Sequence, residues 1–227
     1  MKKSITKLSL ITLMVTASSA AVADDSFDFS VIGNITPAAC KATISGGNVF
    51  DYGNILSNSL NKDDFTILEQ KDTGFTIVCD APAKLALKTV DNRMGTKNNP
   101  IGQVLVGSAP LQANTGTMGL GLDPAGNKIG AYLAAIPTDT VTLDTADNVD
   151  SINSDDKGAT WRKVPRIFMT TASPLYTWAK TGELVPQAFS TMTGTLQVQA
   201  AISPASTLDL TQPVKLDGSA TVQLFYL

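Results

Sequence analysis

Two cysteines, Cys40 and Cys79, and no histidine at all set the limits of the chemistry this sequence can carry. Without histidine, the commonest general base and triad member is missing. Two thiols without histidine also fall short of a four-ligand zinc set at the usual spacings. Ser154 and Lys157 satisfy the Ser-x-x-Lys spacing, in which an amine activates a hydroxyl. They sit in the acidic stretch SDDKG, however, and the companion motifs of that catalytic class are absent. Asn153, Asp155 and Gly158 overlay the start of an EF-hand loop, but Lys157 takes a ligand position and Val164 stands where the bidentate glutamate belongs. Gly119-Leu120-Gly121 opens like a dinucleotide fingerprint, then meets Pro124 where the third glycine is needed. No pair of carboxylates stands in a glycosidase-like context. Trp161, Tyr176 and Trp178 are the right residue types for a sugar platform, and equally for packing in a β protein. The sequence therefore predicts no enzyme, no metal and no cofactor.

Charge argues the same way. The formal net charge is −3, and the arginines are Arg93, Arg162 and Arg166, none in a basic run. Phosphate backbones are held by clustered Lys and Arg, so nucleic acid is not an expected partner.

Residues 1–23 have the character of a removable secretory signal peptide. Lys2, Lys3 and Lys7 form a positive region, Leu8–Val15 is mostly apolar, and Ala21-Val22-Ala23 is a small-x-small cleavage site. The apolar run is too short to span a bilayer, and no later segment offers about 18 continuous apolar residues, so no membrane insertion is expected. An exported chain meets an oxidising compartment, where an even pair of cysteines reads as one disulfide.

The elements that must hold these residues are strands. Alternating or β-branched runs occur at Phe75–Cys79, Leu85–Val90, Gly119–Leu122, Ile129–Ile136, Thr140–Leu143, Val164–Thr170, Thr195–Ile202 and Ala220–Tyr226, each bounded by Gly, Pro, Asn or Asp. Many short strands with turn signals between them predict an all-β sandwich or barrel. The stretches 91–116 and 144–158 read as surface loops, and 61–70 as a short helix or loop.

Both ends of the chain carry the strongest patterns. Near the N-terminus, Phe27, Phe29 and Val31 alternate, with Gly33 where the next inward side chain is due. Near the C-terminus, Ala220, Val222, Leu224 and Tyr226 share one face, and the sequence stops one residue later. One strand is spare at the start, and the last strand lacks an evident neighbour. An unpaired edge invites pairing with another chain. The spare strand of one molecule completing the sheet of the next is strand addition, with main-chain bonds for affinity and alternate side chains in pockets. A self-contained sandwich, with the N-terminal strand folded into its own groove, accounts for the same alternation.

Four stretches resemble the chaperone–usher pilins, the fimbrial subunits of Gram-negative bacteria. They are Gly33-Asn-Ile35-Thr-Pro-Ala-Ala-Cys40, Asp72-Thr-Gly-Phe-Thr-Ile-Val-Cys79, Gly119-Leu-Gly-Leu-Asp123 followed by Gly126-Asn127, and Val214–Leu227 with its penultimate Tyr226. The resemblance implies an incomplete immunoglobulin-like β-sandwich, the pilin fold, lacking its seventh strand. Residues 1–23 would be the signal peptide, 24–36 the donor-strand extension and 37–227 the sandwich domain. Phe27, Phe29, Val31 and Gly33 would be the donor; Ala220, Val222, Leu224 and Tyr226 would form the acceptor strand that a periplasmic chaperone binds first. Delivery to an outer-membrane usher and exchange into a polymer of fimbrial subunits on the cell surface would follow. Residues 138–187 have no clear pilin counterpart, which suggests a longer pilin-like group of unassigned function.

Overall fold

The computed structural model describes residues 29–34, 38–170 and 175–227. Residues 1–28, with the expected signal peptide 1–23 and the expected donor residue Phe27 among them, lie outside the described residues, as do 35–37 and 171–174. The chain divides into two units, Met1–Thr36 and Pro37–Leu227. In the first, Phe29–Asn34 belong to no strand or helix, and Phe29, Val31 and Ile32 are 81%, 90% and 91% exposed.

The second unit is two antiparallel sheets. One runs in the order β1 (Cys40–Ile44), β3 (Lys71–Ala83), β12 (Phe189–Ile202), β6 (Gly130–Pro137) and β10 (Arg166–Met169). Short strands extend it: β2 (Thr66–Ile67) and β7 (Thr142–Leu143) pair with β12, and β5 (Met118–Gly119) pairs with β6. The other sheet runs β13 (Ala220–Tyr226), β4 (Leu85–Asp91), β11 (Leu175–Lys180), β8 (Val149–Ser154) and β9 (Arg162–Val164). No α-helix occurs among the described residues, and none of their helices is long and apolar enough to cross a membrane.

Period-2 alternation builds the core. Phe75, Ile77 and Cys79 of β3, Leu196 and Val198 of β12, and Leu85 and Leu87 of β4 all turn inward. Trp178 of β11 is fully buried and meets Phe189 edge to face, with ring centroids 5.9 Å apart. Cys40 lies directly opposite Cys79 across the β1–β3 ladder, and the two form the expected disulfide.

Three sequence expectations need correction. The stretch 144–158 is not all surface loop, because β8 runs through it and is buried along its whole length. Its polar side chains hid the strand, and each finds a partner. Asp150 accepts from the Gly182 amide and pairs with Lys163, Asn153 accepts from Arg162, and Ser151 meets Thr138. The stretch 61–70 holds β2 rather than a helix. The run 164–170 is two strands, in different sheets, because Pro165 cannot donate to a ladder and the chain changes sheets there. The stretch 91–116 is the loop expected, yet Leu105, Val106 and Leu111 pack with Leu133, Ala135 and Ala201 in a satellite apolar cluster separate from the main core.

Candidate functional site: the open edge of the sandwich

β13 is the last strand of its sheet. Its seven residues pair with β4 from Ala220↔Asp91 to Tyr226↔Leu85, and among the described residues no strand lies along its other edge. β1 is likewise the end strand of the opposite sheet. Two edges therefore flank one side of the sandwich, and between them lies a cavity of about 1130 Å³.

The inward face of β13 shapes this cavity. Its side chains grow along the strand, from Ala220 through Val222 and Leu224 to Tyr226. Ala220 and Val222 line the cavity. Leu224 packs instead against the main core, and the Tyr226 hydroxyl accepts a hydrogen bond from the Cys40 backbone N–H at 3.0 Å. The four residues expected on one face are on one face, but only the first two border the open space. Along β13 the cavity runs beside Ala220 and Val222 and ends before Leu224.

Its floor is the inner face of the larger sheet, including Met118, Leu120, Ile129, Leu196 and Val198. One wall is the irregular run from Ile44 to Leu60, held where Lys71 lies 5.2 Å above the Tyr52 ring. The other wall is the segment from Leu208 into β13. Val214 and Leu216 pack on Leu120, Ile129 and Ile202. Asp217 ties this wall down, accepting from Arg93 Nε and Nη2 at 2.8 and 2.9 Å. The Arg93 guanidinium holds the Asp217 carboxyl below its ordinary range. Gly218 belongs here for a steric reason, since a Cβ would come within 2.9 Å of the Tyr132 ring.

Two phenols border the cavity, and neither supplies charge. Burial pushes Tyr52 up to about 12 and pushes Tyr132 higher still. Both stay neutral at any ordinary pH. Mostly apolar walls, uncharged phenols and a bare strand edge suit an extended apolar segment.

Sequence reasoning found the β13 wall but missed the rest. The signal was there: Val214, Leu216, Gly218, Ala220, Val222, Leu224 and Tyr226 keep one parity without a break. Gly218 and Ala220, nearly without side chains, hide the continuity. The Ile44–Leu60 wall has no such period.

The remaining candidate residues stand elsewhere. Ser154 Oγ donates to Asp156 Oδ1 at 2.7 Å and accepts from the Gly158 amide at 2.7 Å, so it is committed to its own turn. Asn153 and Asp155 are both engaged by Arg162. Trp178 and Tyr176 are core residues, and only Trp161 of the three aromatics is partly exposed. Among the described residues, no group of His, Cys, Asp or Glu is arranged to hold a metal ion.

A family model described as "Protein of unknown function (DUF1120)" matches residues 29–133. That span includes both cysteines, β3, β4 and much of the cavity floor. "Protein GltF" of Escherichia coli (strain K12) is 30% identical over 251 aligned residues, covering 100% of this chain and 99% of that protein. "Uncharacterized protein YhcF" of the same organism is 27% identical over 223 residues, covering 91% of this chain and 93% of that protein.

Proposed function

We propose, from the premise that this chain belongs to the DUF1120 family of proteins of unknown function, that it is a non-enzymatic structural subunit of a bacterial surface fimbria, assembled by strand donation. The observation that carries the reading is the apolar cavity beside the unpaired edge of β13. An incomplete immunoglobulin-like sandwich of the pilin kind would present such a cavity where its seventh strand is missing.

The occupant is the N-terminal extension, residues 24–36, of a neighbouring copy or of another fimbrial subunit. Phe27, Phe29 and Val31 turn into the cavity, and a slip of one residue would turn all three out. Burying them contributes roughly 5–9 kcal/mol gross, before the costs of ordering and association. Gly33 takes a place where the acceptor leaves no room for a side chain. Its own surroundings do not demand glycine: a Cβ there would meet nothing within 4 Å, and its φ is not positive. Before assembly a periplasmic chaperone would cover the same edge along Ala220, Val222, Leu224 and Tyr226. An outer-membrane usher would then exchange it for the donor, taking the exported chain from periplasm to cell surface.

The test is the mature chain with and without residues 24–36. Ladders that survive SDS but not boiling, and that vanish on truncation, are the expected result. A monomer in both cases rules strand donation out. A monomer that unfolds far more easily once truncated would favour the other reading of the same cavity, a periplasmic binding protein that fills its groove with its own N-terminal strand.

A further inference from the structure

Alternation fixes which face of an added strand points inward, but not its register. A slip of one residue is forbidden because it expels every apolar side chain. A slip of two residues keeps all of them inward, so the pattern of Phe27, Phe29 and Val31 does not by itself select one placement. The place that takes Gly33 disfavours such a slip, and a fixed stop beyond the cavity would forbid it.

Tyr226 has the geometry of a stop. It has the inward parity of β13, yet its side chain does not line the cavity. It crosses from the edge of one sheet to the edge of the other, where its hydroxyl accepts the Cys40 N–H at 3.0 Å. Both anchorages are firm. Cys40 is tied to Cys79 by the disulfide, and the adjoining Ala39 is paired with Asp80 twice, N–H to Oδ1 at 2.8 Å and C=O to the Asp80 amide at 3.0 Å. On the other side of Tyr226, the Leu227 amide donates to Lys84 C=O at 3.0 Å. The ring is held across the gap by fixed backbone at both ends, although it is 47% exposed and adds little to the core.

We infer that Tyr226 is a positioning residue: its ring, tied to Cys40, bars the gap between the two sheet edges beyond Val222 and Leu224 and sets the single register in which a donor strand seats. This rests on the strand-donation reading and adds to it a second restraint, beside the place that takes Gly33, on which apolar register is selected.

Crosslinking of the full mature chain tests it. Ser30, between the inward donor residues, should face outward beside the outward residues of β13. Ser30→Cys is combined in turn with Thr221→Cys, Gln223→Cys or Phe225→Cys, and disulfides between copies are read on non-reducing gels. With Tyr226 in place, one pair should dominate. With Tyr226→Ala, total crosslinking should persist while neighbouring pairs reach comparable yield. Tyr226→Leu, which fills the space without reaching Cys40, should behave the same way and serves if the alanine variant does not fold. One dominant pair unchanged in both variants overturns the inference and leaves strand donation standing. No crosslink between copies in any pair, with Tyr226 present, overturns strand donation itself and the inference with it. A purely structural role for Tyr226 would lower stability without redistributing the crosslinks.

Discussion

The two lateral sides of this sandwich treat the same problem differently. On one side the edge strands are β9 and β10, separated in sequence by Pro165 alone, so the chain itself crosses from one sheet to the other. Thr138 fastens the crossing, donating to Pro165 C=O at 2.9 Å and meeting Ser151 Oγ at 2.6 Å. On the other side the edges are β1 and β13, at opposite ends of the domain's sequence, with a cavity of about 1130 Å³ between them. An exposed edge is an aggregation hazard that folds usually cover. Here the two edge strands of one side are joined through Pro165, and those of the other are bridged at one end by Tyr226 and Cys40. The two sides therefore differ in what restrains their edge strands.

If that is right, the two sides should respond differently to damage. The largest effect belongs to the staple on the open side. β1 has a strand partner on one edge only, so the disulfide is a main restraint on it. Replacing both Cys40 and Cys79 with alanine should lower the unfolding free energy by about 4 kcal/mol in the chain-entropy account. In native-state amide exchange the loss should concentrate in β1 and the outer edge of β3. Equal loss of protection in β1 and β10 would break the comparison, since the sides would then be one cooperative unit.

A matched pair of smaller truncations sharpens it. Ile167 of β10 is fully buried on the closed side. Ile167→Val should cost about 0.5–1.5 kcal/mol of stability, with no change in polymer yield. Val222 of β13 is half-buried and lines the open cavity. Val222→Ala should cost about 1 kcal/mol or less in stability, yet reduce the SDS-resistant ladder. Denaturant unfolding and gels on the same preparations separate the two. Equal loss of ladder from both would mean that assembly tracks general stability, not the groove.

The contrast between the sides was only half legible in the sequence. β13 could be read because Val222 and Leu224 alternate cleanly after a turn, and β3 because Phe75, Ile77 and Cys79 do the same. β8 could not, because Asp150, Ser151, Asn153 and Ser154 are polar groups buried by partners distant in sequence. No local pattern announces that Lys163 and the Gly182 amide will meet Asp150. The cavity was legible as a missing neighbour but not as a shape. Its walls depend on Leu216 and Gly218 packing on Leu120 and Tyr132, contacts between segments roughly a hundred residues apart. The Tyr226–Cys40 bond joins two residues singled out separately for other reasons, and no spacing rule connects them.

The smallest expected effect lies in the turn between β8 and β9. Asp156 Oδ2 accepts from Thr160 Oγ1 at 2.6 Å, while Oδ1 accepts from the Thr160 amide at 2.8 Å and from Ser154 Oγ at 2.7 Å. These bonds, the Thr160 hydroxyl foremost, lower the carboxyl from its ordinary 3.8 to about 2. Because the folded value lies below the unfolded one, the stabilisation is fully present above the ordinary value and disappears as pH falls through about 2. The carboxylate is exposed, so the effect should be local: faster exchange at the Thr160 amide as the solution is acidified across that window. An NMR titration of Asp156 should show a midpoint near 2, rising toward the ordinary value in Thr160→Ala. A midpoint already near 3.8 in the unmodified chain would mean the turn is not held by these bonds in solution.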